Sequence, residues 1–243
     1  TGLTHEHFEE ELIKLKKKYK AKQDTDLTAD QLKELVSIYK KIYLNKVKKP
    51  FPQDPYEQLN LSIRAVFGSW NSDRAEKYRQ INKISGLFGT AVNVQAMVFG
   101  NMGSRSGTGV AFTRDGGNGH SKPMGEYLID AQGEDVVAGI RTPKDLDDMP
   151  NEEEDVWAPA YNELQKIMNK LERHYKYPQD VEFTVQEGKL YMLQTRNAKR
   201  TGLAGVRWAV EMATGKDFYT GESQPKILSQ KEALMSLSGD DLE

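Results

Sequence analysis

Four polar side chains stand near the two ends of one stretch, QDVEFTVQEGKLYMLQTR at 179–196: Asp180 and Glu182 toward its start, Gln194 and Arg196 at its end. Val181, Phe183 and Val185 alternate with Asp180, Glu182 and Thr184, the period of a strand with one apolar face. After Glu187-Gly188-Lys189 a second strand returns, with Tyr191, Leu193 and Thr195 alternating with Leu190, Met192, Gln194 and Arg196. A loop of odd length centred on Gly188 sets Glu182 opposite Gln194 and Asp180 opposite Arg196, because directly opposed residues share a face. Two carboxylates, an amide oxygen and a guanidinium then form one patch. Oxygen donors suit a hard cation such as Mg²⁺, held by one or two protein groups and completed by phosphate oxygens, and an arginine grips phosphate as a fork. The same residues also suit a plain Asp–Arg pair across a sheet edge, so the hairpin alone leaves both readings open.

The elements that must position this hairpin read in order. Phe8, Leu12, Leu15 and Tyr19 form one helical stripe, and Thr28 with Gln31 is a capping box for a second helix through Leu32, Leu35, Val36, Tyr39, Ile42 and Tyr43. KKPFPQDP at 48–55 breaks the pattern with prolines. Asp54 and Pro55 then start a helix expected to turn Leu59, Ile63, Val66 and Phe67 inward, and Asn71 or Ser72 caps the next. TAVNVQAMVF at 90–99 alternates as a strand. Seven glycines between Gly100 and Gly119 surround SGTGVAFTR, read as a strand, and GEYLIDA returns as its neighbour. These glycines lack the spacing of the phosphate-binding loops and read as hairpin turns; His120 in the turn reads as solvated. Glu134 and Asp135 are adjacent, so in extended chain they point to opposite sides. PNEEED at 150–155 reads as acidic loop, 156–175 as an amphipathic helix with Ala160, Leu164, Ile167, Met168, Leu171 and Tyr175 inward. The tail turns helical through Val206, Ala209 and Val210, stops near Gly215 and ends on a short helix capped by Ser229 and Glu232; it carries no assigned chemistry. Leu242-Glu243 reads as a cloning remnant.

The hairpin, with GTAVNVQAMVFGN at 89–101, SGTGVAFTR at 106–114 and GEYLIDAQGEDVVAGIRTP at 125–143, resembles pyruvate phosphate dikinase, in part of the ATP-grasp nucleotide-binding domain of that family. The resemblance runs through most of the chain and thins after about Gly202. It implies an α+β fold, an ATP-grasp-type antiparallel sheet with flanking helices preceded by a helical subdomain. The boundaries expected are 1–52 for the helical subdomain, 53–98 for helices and a strand leading to the adenine linker, 99–200 for the ATP-grasp subdomain and 201–243 for a helical tail. By resemblance, Gln95, Met97 and Val98 are candidates for binding the adenine edge, where the residues alone equally suit a core strand. Glu182 and Gln194 become metal and nucleotide ligands, and Asp180, Arg196, Glu134 and Asp135 catalytic candidates. Acids beside a polyphosphate repel it unless a cation or an arginine intervenes, so a metal-linked or orienting role suits Glu134 and Asp135.

The family passes a phosphoryl group from ATP to a histidine on another domain and on to pyruvate, with Mg²⁺ as cofactor and phosphate as second acceptor. The resemblance therefore implies partners outside this chain: the phosphohistidine domain, the pyruvate-binding domain and a homo-oligomeric parent. Neither the family's glycine-rich segment with its catalytic lysine and arginine nor a phosphohistidine segment like TSHAAVVAR is present, so the chain is expected to be a fragment without turnover of its own. Phosphoenolpyruvate synthase, which uses water in place of phosphate, and a docking or nucleotide-binding module without turnover are the alternatives.

Composition excludes other classes. Lys and Arg total 34 against 36 Asp and Glu, a formal net charge of -2, which gives no basic field for nucleic acid. The lysine runs follow helical faces among acids, as solvated surface does. Mean hydropathy is -0.70, and no apolar run reaches the ~18 residues of a spanning helix. There are no cysteines, hence no disulfide and no thiolate metal site. The expectation is a cytoplasmic protein without a membrane or nucleic-acid partner.

Overall fold

Each local signal for a helix start becomes one in the computed structural model, which describes residues 3–137 and 141–241. The terminal Leu242-Glu243 pair and residues 138–140 of the QGEDVVAGIRTP segment lie outside the described residues. The chain divides into two units, Thr1–Gln95 and Ala96–Glu243.

In the first unit, α1 (His5–Tyr19) and α2 (Ala29–Val47) close on a small core of Leu15, Leu27 and Leu35, backed by Leu12, Ile38 and Tyr39. The Thr28 hydroxyl accepts the Gln31 N–H, and the Gln31 side chain accepts the Thr28 N–H at 2.9 Å, the reciprocal box expected. Asp54 caps α3 (Pro55–Ser69) by accepting the Tyr56 N–H at 3.0 Å, and Ser72 caps α4 (Asp73–Ile81). The inward face expected of α3 is not found: it has no buried residue, and Leu59, Val66 and Phe67 are exposed. Helical spacing specifies an apolar stripe; it does not supply the surface that covers it.

Residues 90–99 form no strand. Alternation makes a strand only where a neighbour completes the ladder, and Val94 and Met97 are exposed here. The Phe99 N–H bonds the Gln186 side chain at 2.7 Å in place of a ladder partner.

The second unit is built on one antiparallel sheet, in the order β3-β2-β1-β4-β5. Its strands are β1 (Gly107–Phe112), β2 (Met124–Ile129), β3 (Lys144–Asp145), β4 (Gln179–Gln186) and β5 (Lys189–Asn197). One face packs Ala111, Tyr127, Val181, Phe183 and Val185 against Trp157, Leu164 and Met168 of α6 (Glu154–Tyr175). Glycine is needed at position 109 for this closeness: a Cβ there would meet the Phe183 ring at 2.6 Å. Tyr175, expected inward, is exposed at the helix end. The other face carries α5 (Gly133–Val137), which lies against β1 and β2. Helices plus an antiparallel sheet give the α+β class expected.

Two readings of the acidic segments are corrected. Glu134 and Asp135 sit in a helical turn, not extended chain, because Asp135 accepts the Gln132 N–H at 2.8 Å and so closes the turn. The 150–155 segment is not simple solvated loop. Glu152 is half-buried, accepting from the Tyr127 hydroxyl at 2.9 Å and from Lys144, and Glu153 and Asp155 both hold Arg105.

The tail docks by polar as well as apolar contacts. Trp208, Met212 and Ala204 of α7 (Gly202–Thr214) pack with Leu228 and with Ala233 of α8 (Gln230–Met235). Ser229 and Glu232 form the expected box. Arg114, just beyond β1, is buried between Glu172 of α6, at 2.8 to 3.1 Å, and Glu211 of α7 at 2.7 Å. Burial raises the Glu211 pKa, opposed by the Phe218 N–H and by Arg114. His120, expected to be solvated, is half-buried and stacks on Tyr219 with ring centroids 3.7 Å apart.

Asp217 fastens the loop after α7. It accepts from the Ser121 hydroxyl, from the Tyr219 and Thr220 N–H groups at 2.8 and 2.7 Å, and from the Gln224 amide. The Ser121 bond and these backbone donors hold its carboxyl down to about 2. A depressed carboxyl contributes stability above its ordinary pKa of 3.8, lost as pH falls through the folded value. Between roughly pH 4 and pH 2 the stability of the wild-type chain should therefore fall more steeply than that of Asp217→Asn, which starts lower at neutral pH. Urea midpoints across that range are the measurement; parallel curves would remove Asp217 from the account.

Candidate functional site

The hairpin turn differs from the expectation in one respect. Glu187 and Gly188 form a two-residue loop, with φ of 49° and 85°, the left-handed pair that matches the twist of hairpin strands. Its tip is held by the preceding chain: Gly188 N–H donates to Arg105 O at 2.9 Å and Glu187 N–H to the Ser106 hydroxyl at 3.0 Å. An even loop should pair Glu182 with Leu193. Near the turn the ladder does run that way, with Val185 opposite Leu190, Thr184 opposite Tyr191 and Phe183 opposite Met192.

A β-bulge between Glu182 and Phe183, opposite Leu193, then changes the register. Beyond it Glu182 stands opposite Gln194, Val181 opposite Thr195 and Asp180 opposite Arg196. The pairs inferred from sequence are present, produced by one extra residue in β5 and not by an odd loop. All four polar groups fall on the face away from α6.

Their environments differ. Asp180 is 7% exposed; its Oδ2 accepts from Arg196 Nε at 3.2 Å, and its Oδ1 is buried without a hydrogen-bond partner. Burial raises its pKa, opposed by the Arg196 guanidinium. The Arg196 side chain is 56% exposed and uses only Nε in that bond, which leaves the outer fork of the guanidinium open. Glu182 is half-buried and Gln194 exposed, and neither has a hydrogen-bond partner among the described residues. Beneath them the Thr108 and Thr184 hydroxyls meet at 3.2 Å, a small polar pair inside the sheet.

Glu182 lines a cavity of about 340 Å³ between the sheet and α5, together with Glu134, Thr108, Val110, Val136 and Leu193. The fold thus brings Glu134 and Glu182 to one cavity from segments far apart in sequence. Asp135 does not line it, nor do Met97 and Val98; Gln95 is exposed in the other unit. No group of three or more His, Asp or Glu side chains among the described residues could hold a metal by itself.

The profile described as "Pyruvate phosphate dikinase, AMP/ATP-binding domain" matches residues 10–154 and 146–216. The chain belongs to that family. It is 59% identical over 210 residues to Pyruvate, phosphate dikinase 2 of Zea mays, covering 86% of this chain and 23% of that protein. It is 59% identical over 205 residues to the chloroplastic Pyruvate, phosphate dikinase 1 of Zea mays, 84% of this chain and 21% of that one. The corresponding Arabidopsis thaliana protein is 57% identical over 211 residues, 87% of this chain and 22% of the relative. The chain therefore spans less than a quarter of the length of these dikinases.

Sequence reading missed Leu193 and Val136 as residues of this cavity. The first was partly within reach: a two-residue Glu-Gly turn and a pair at Glu182 and Gln194 are incompatible in a regular ladder, so one residue between Gly188 and Gln194 has to bulge, and the observed register makes it Leu193. Val136 depends on α5 folding over the sheet, which no periodicity in a five-residue helix shows.

Proposed function

We propose that this chain is the part of a pyruvate, phosphate dikinase that forms the acidic side of its ATP site, within an ATP-grasp-type domain. The parent would convert ATP, phosphate and pyruvate to AMP, pyrophosphate and phosphoenolpyruvate through a phosphohistidine carried on another domain. The observation that carries the reading is the Glu182–Gln194 pair, partnerless on an open face beside the Asp180–Arg196 pair, in a chain of the AMP/ATP-binding family.

Glu182 and Gln194 would hold Mg²⁺ by their side-chain oxygens, the donor chemistry a hard cation requires. Bound there, the ion would neutralise phosphate charge. The protein's own groups do the rest. Asp180 fixes Arg196 by its Nε, so the outer nitrogens are presented to a phosphate without having to be ordered during the reaction. Burial of Asp180 behind the guanidinium keeps the carboxylate's charge away from the phosphates. Glu134 is assigned an orienting role at the cavity edge, and Asp135 a supporting one through the turn it closes. Gln95, Met97 and Val98 are retained as candidates for the adenine edge.

Phosphate as second acceptor, a homo-oligomeric parent and the absence of nucleic-acid or membrane partners belong to this proposal. No helix among the described residues is long and apolar enough to cross a membrane. A cytoplasmic setting suits the cysteine-free chain, as would a plastid like that in the names of several relatives.

Catalysis needs cationic groups on the far side of the nucleotide and an acceptor histidine, and the segments to which the resemblance assigns them, the glycine-rich one and the one like TSHAAVVAR, do not occur in this sequence. Incubated with ATP, phosphate and pyruvate, the chain by itself should form no AMP above a Glu182→Ala control. Pyruvate-dependent AMP formation above that control would overturn the division of labour proposed.

A further inference from the structure

We infer that Gln132 and Gln186 are positioning residues of this site: their amide oxygens fasten the segment before β1 to the two elements that carry Glu134 and Glu182, and so fix the spacing between the adenine-edge candidates and the acidic cavity. The inference rests on the reading of the site as a nucleotide site and adds what holds its two ends at one distance.

Phe99 and Gly100 directly follow Met97 and Val98 and lie outside the strands, so their N–H groups have no ladder partner. Each is taken by a glutamine from a different element. Phe99 N–H donates to Gln186 Oε1 at 2.7 Å, and Gly100 N–H to Gln132 Oε1 at 3.2 Å. Gly100 is buried and its donor needs a partner. Phe99 is 42% exposed and could leave its own to water, yet both are bound. Gly100 O accepts the Ala131 N–H at 2.9 Å in return, and a Cβ at position 100 would meet Ala131 O at 2.2 Å, so only glycine permits this approach.

Where the two glutamines are rooted ties this arrangement to the cavity. Gln132 opens the turn of α5: its N–H donates to Asp135 Oδ2 at 2.8 Å, its carbonyl accepts the Asp135 N–H at 3.0 Å, and Gly133 and Glu134 of that turn line the cavity. Gln186 ends β4 on the face of Glu182, two alternations along the strand, and Glu182 lines the cavity from the sheet. The elements carrying the cavity's two carboxylates thus hold the same dipeptide. Asp130 adds a third tie by accepting the Gly103 N–H at 2.9 Å. A nucleotide held by its base at 97–98 and by its phosphates on the acidic side reacts only if the two anchor points keep their distance, since a misplacement of about 1 Å can cost ~100-fold in rate. Without the amides the segment keeps its backbone groups for the base but no longer places the phosphates.

The test uses a full-length dikinase carrying this segment, with ATP-dependent labelling of the phosphohistidine as the readout. Gln132→Met and Gln186→Met keep the side-chain length and remove the amide oxygen. Each should lower kcat about tenfold while the KM for ATP stays within about twofold, the pattern of lost positioning with binding contacts intact. Gln132→Glu, which keeps an acceptor oxygen at the same reach, should restore kcat to near wild type. Phosphoenolpyruvate-dependent labelling of the same histidine should be unchanged in all three. Wild-type kcat in the Met variants, a change confined to KM, a Gln132→Glu protein as slow as Gln132→Met, or equal loss in the two labelling reactions would overturn the inference. Amide exchange at Phe99 and Gly100 checks it without activity: exchange should quicken at Gly100 in Gln132→Met and at Phe99 in Gln186→Met, and unchanged rates would show that these bonds do not hold the segment. Failure of the wild-type protein to be labelled by ATP would instead overturn the nucleotide reading on which the inference stands.

Discussion

Glu182→Ala in a full-length dikinase carrying this segment should lower ATP-dependent labelling of the phosphohistidine by at least ~100-fold, the cost typical of removing one preorganised group from an electrostatically stabilised transition state. Phosphoenolpyruvate-dependent labelling of the same histidine should stay near wild type, because that half-reaction would take place at a different domain. Glu182 suits this test because it is half-buried on the open face and has no hydrogen-bond partner among the described residues, so its loss strips no structural bond. Gln194→Ala should act in the same direction but less, since it removes a neutral oxygen. Equal loss in the two labelling reactions would mean that Glu182 supports the fold and not the chemistry.

Arg114→Ala should destabilise the second unit by ~3–5 kcal/mol, because it leaves Glu172 and Glu211 without the cation between them. Glu211 is 1% exposed and cannot turn to solvent, though it retains the Phe218 N–H at 2.7 Å. Replacing all three residues together with apolar side chains of similar volume should recover most of the loss, since breaking a buried ionic group costs more than exchanging it for packing. Denaturant midpoints of the single and triple variants decide the matter. A single variant as stable as wild type would show that water reaches the two carboxylates.

The hairpin was legible because its alternation spans both strands and its polar positions coincide at one end. The pairs came out right while the loop was misjudged, because two departures compensate: the turn is one residue shorter than expected, and Leu193 restores the count. Helix starts were legible for a different reason. A cap is a bond between neighbours, so Thr28 with Gln31, Asp54 before Pro55 and Ser229 with Glu232 write it in a few letters. Partnership between distant segments is not written locally. Alternation at 90–99 gave no strand for want of a neighbour, and the stripe of α3 stayed exposed. Arg114 found its glutamates 58 and 97 residues away, and Glu134 reached the cavity of Glu182 only through the fold of α5.

The fastening of the hairpin tip has a mechanical consequence. The backbone N–H groups of Glu187 and Gly188 are bonded to the segment before β1, so the turn is held from outside the hairpin as well as by its own closure. Arg105 at that anchor is gripped by Glu153 and Asp155 near the start of the long helix. The far end is tied as well: Gln179 bonds Thr113, Thr195 and Asn197, and the Ala198 N–H donates to Pro178 O at 2.9 Å. With both ends held, the register on either side of the bulge cannot slip without breaking bonds outside the hairpin.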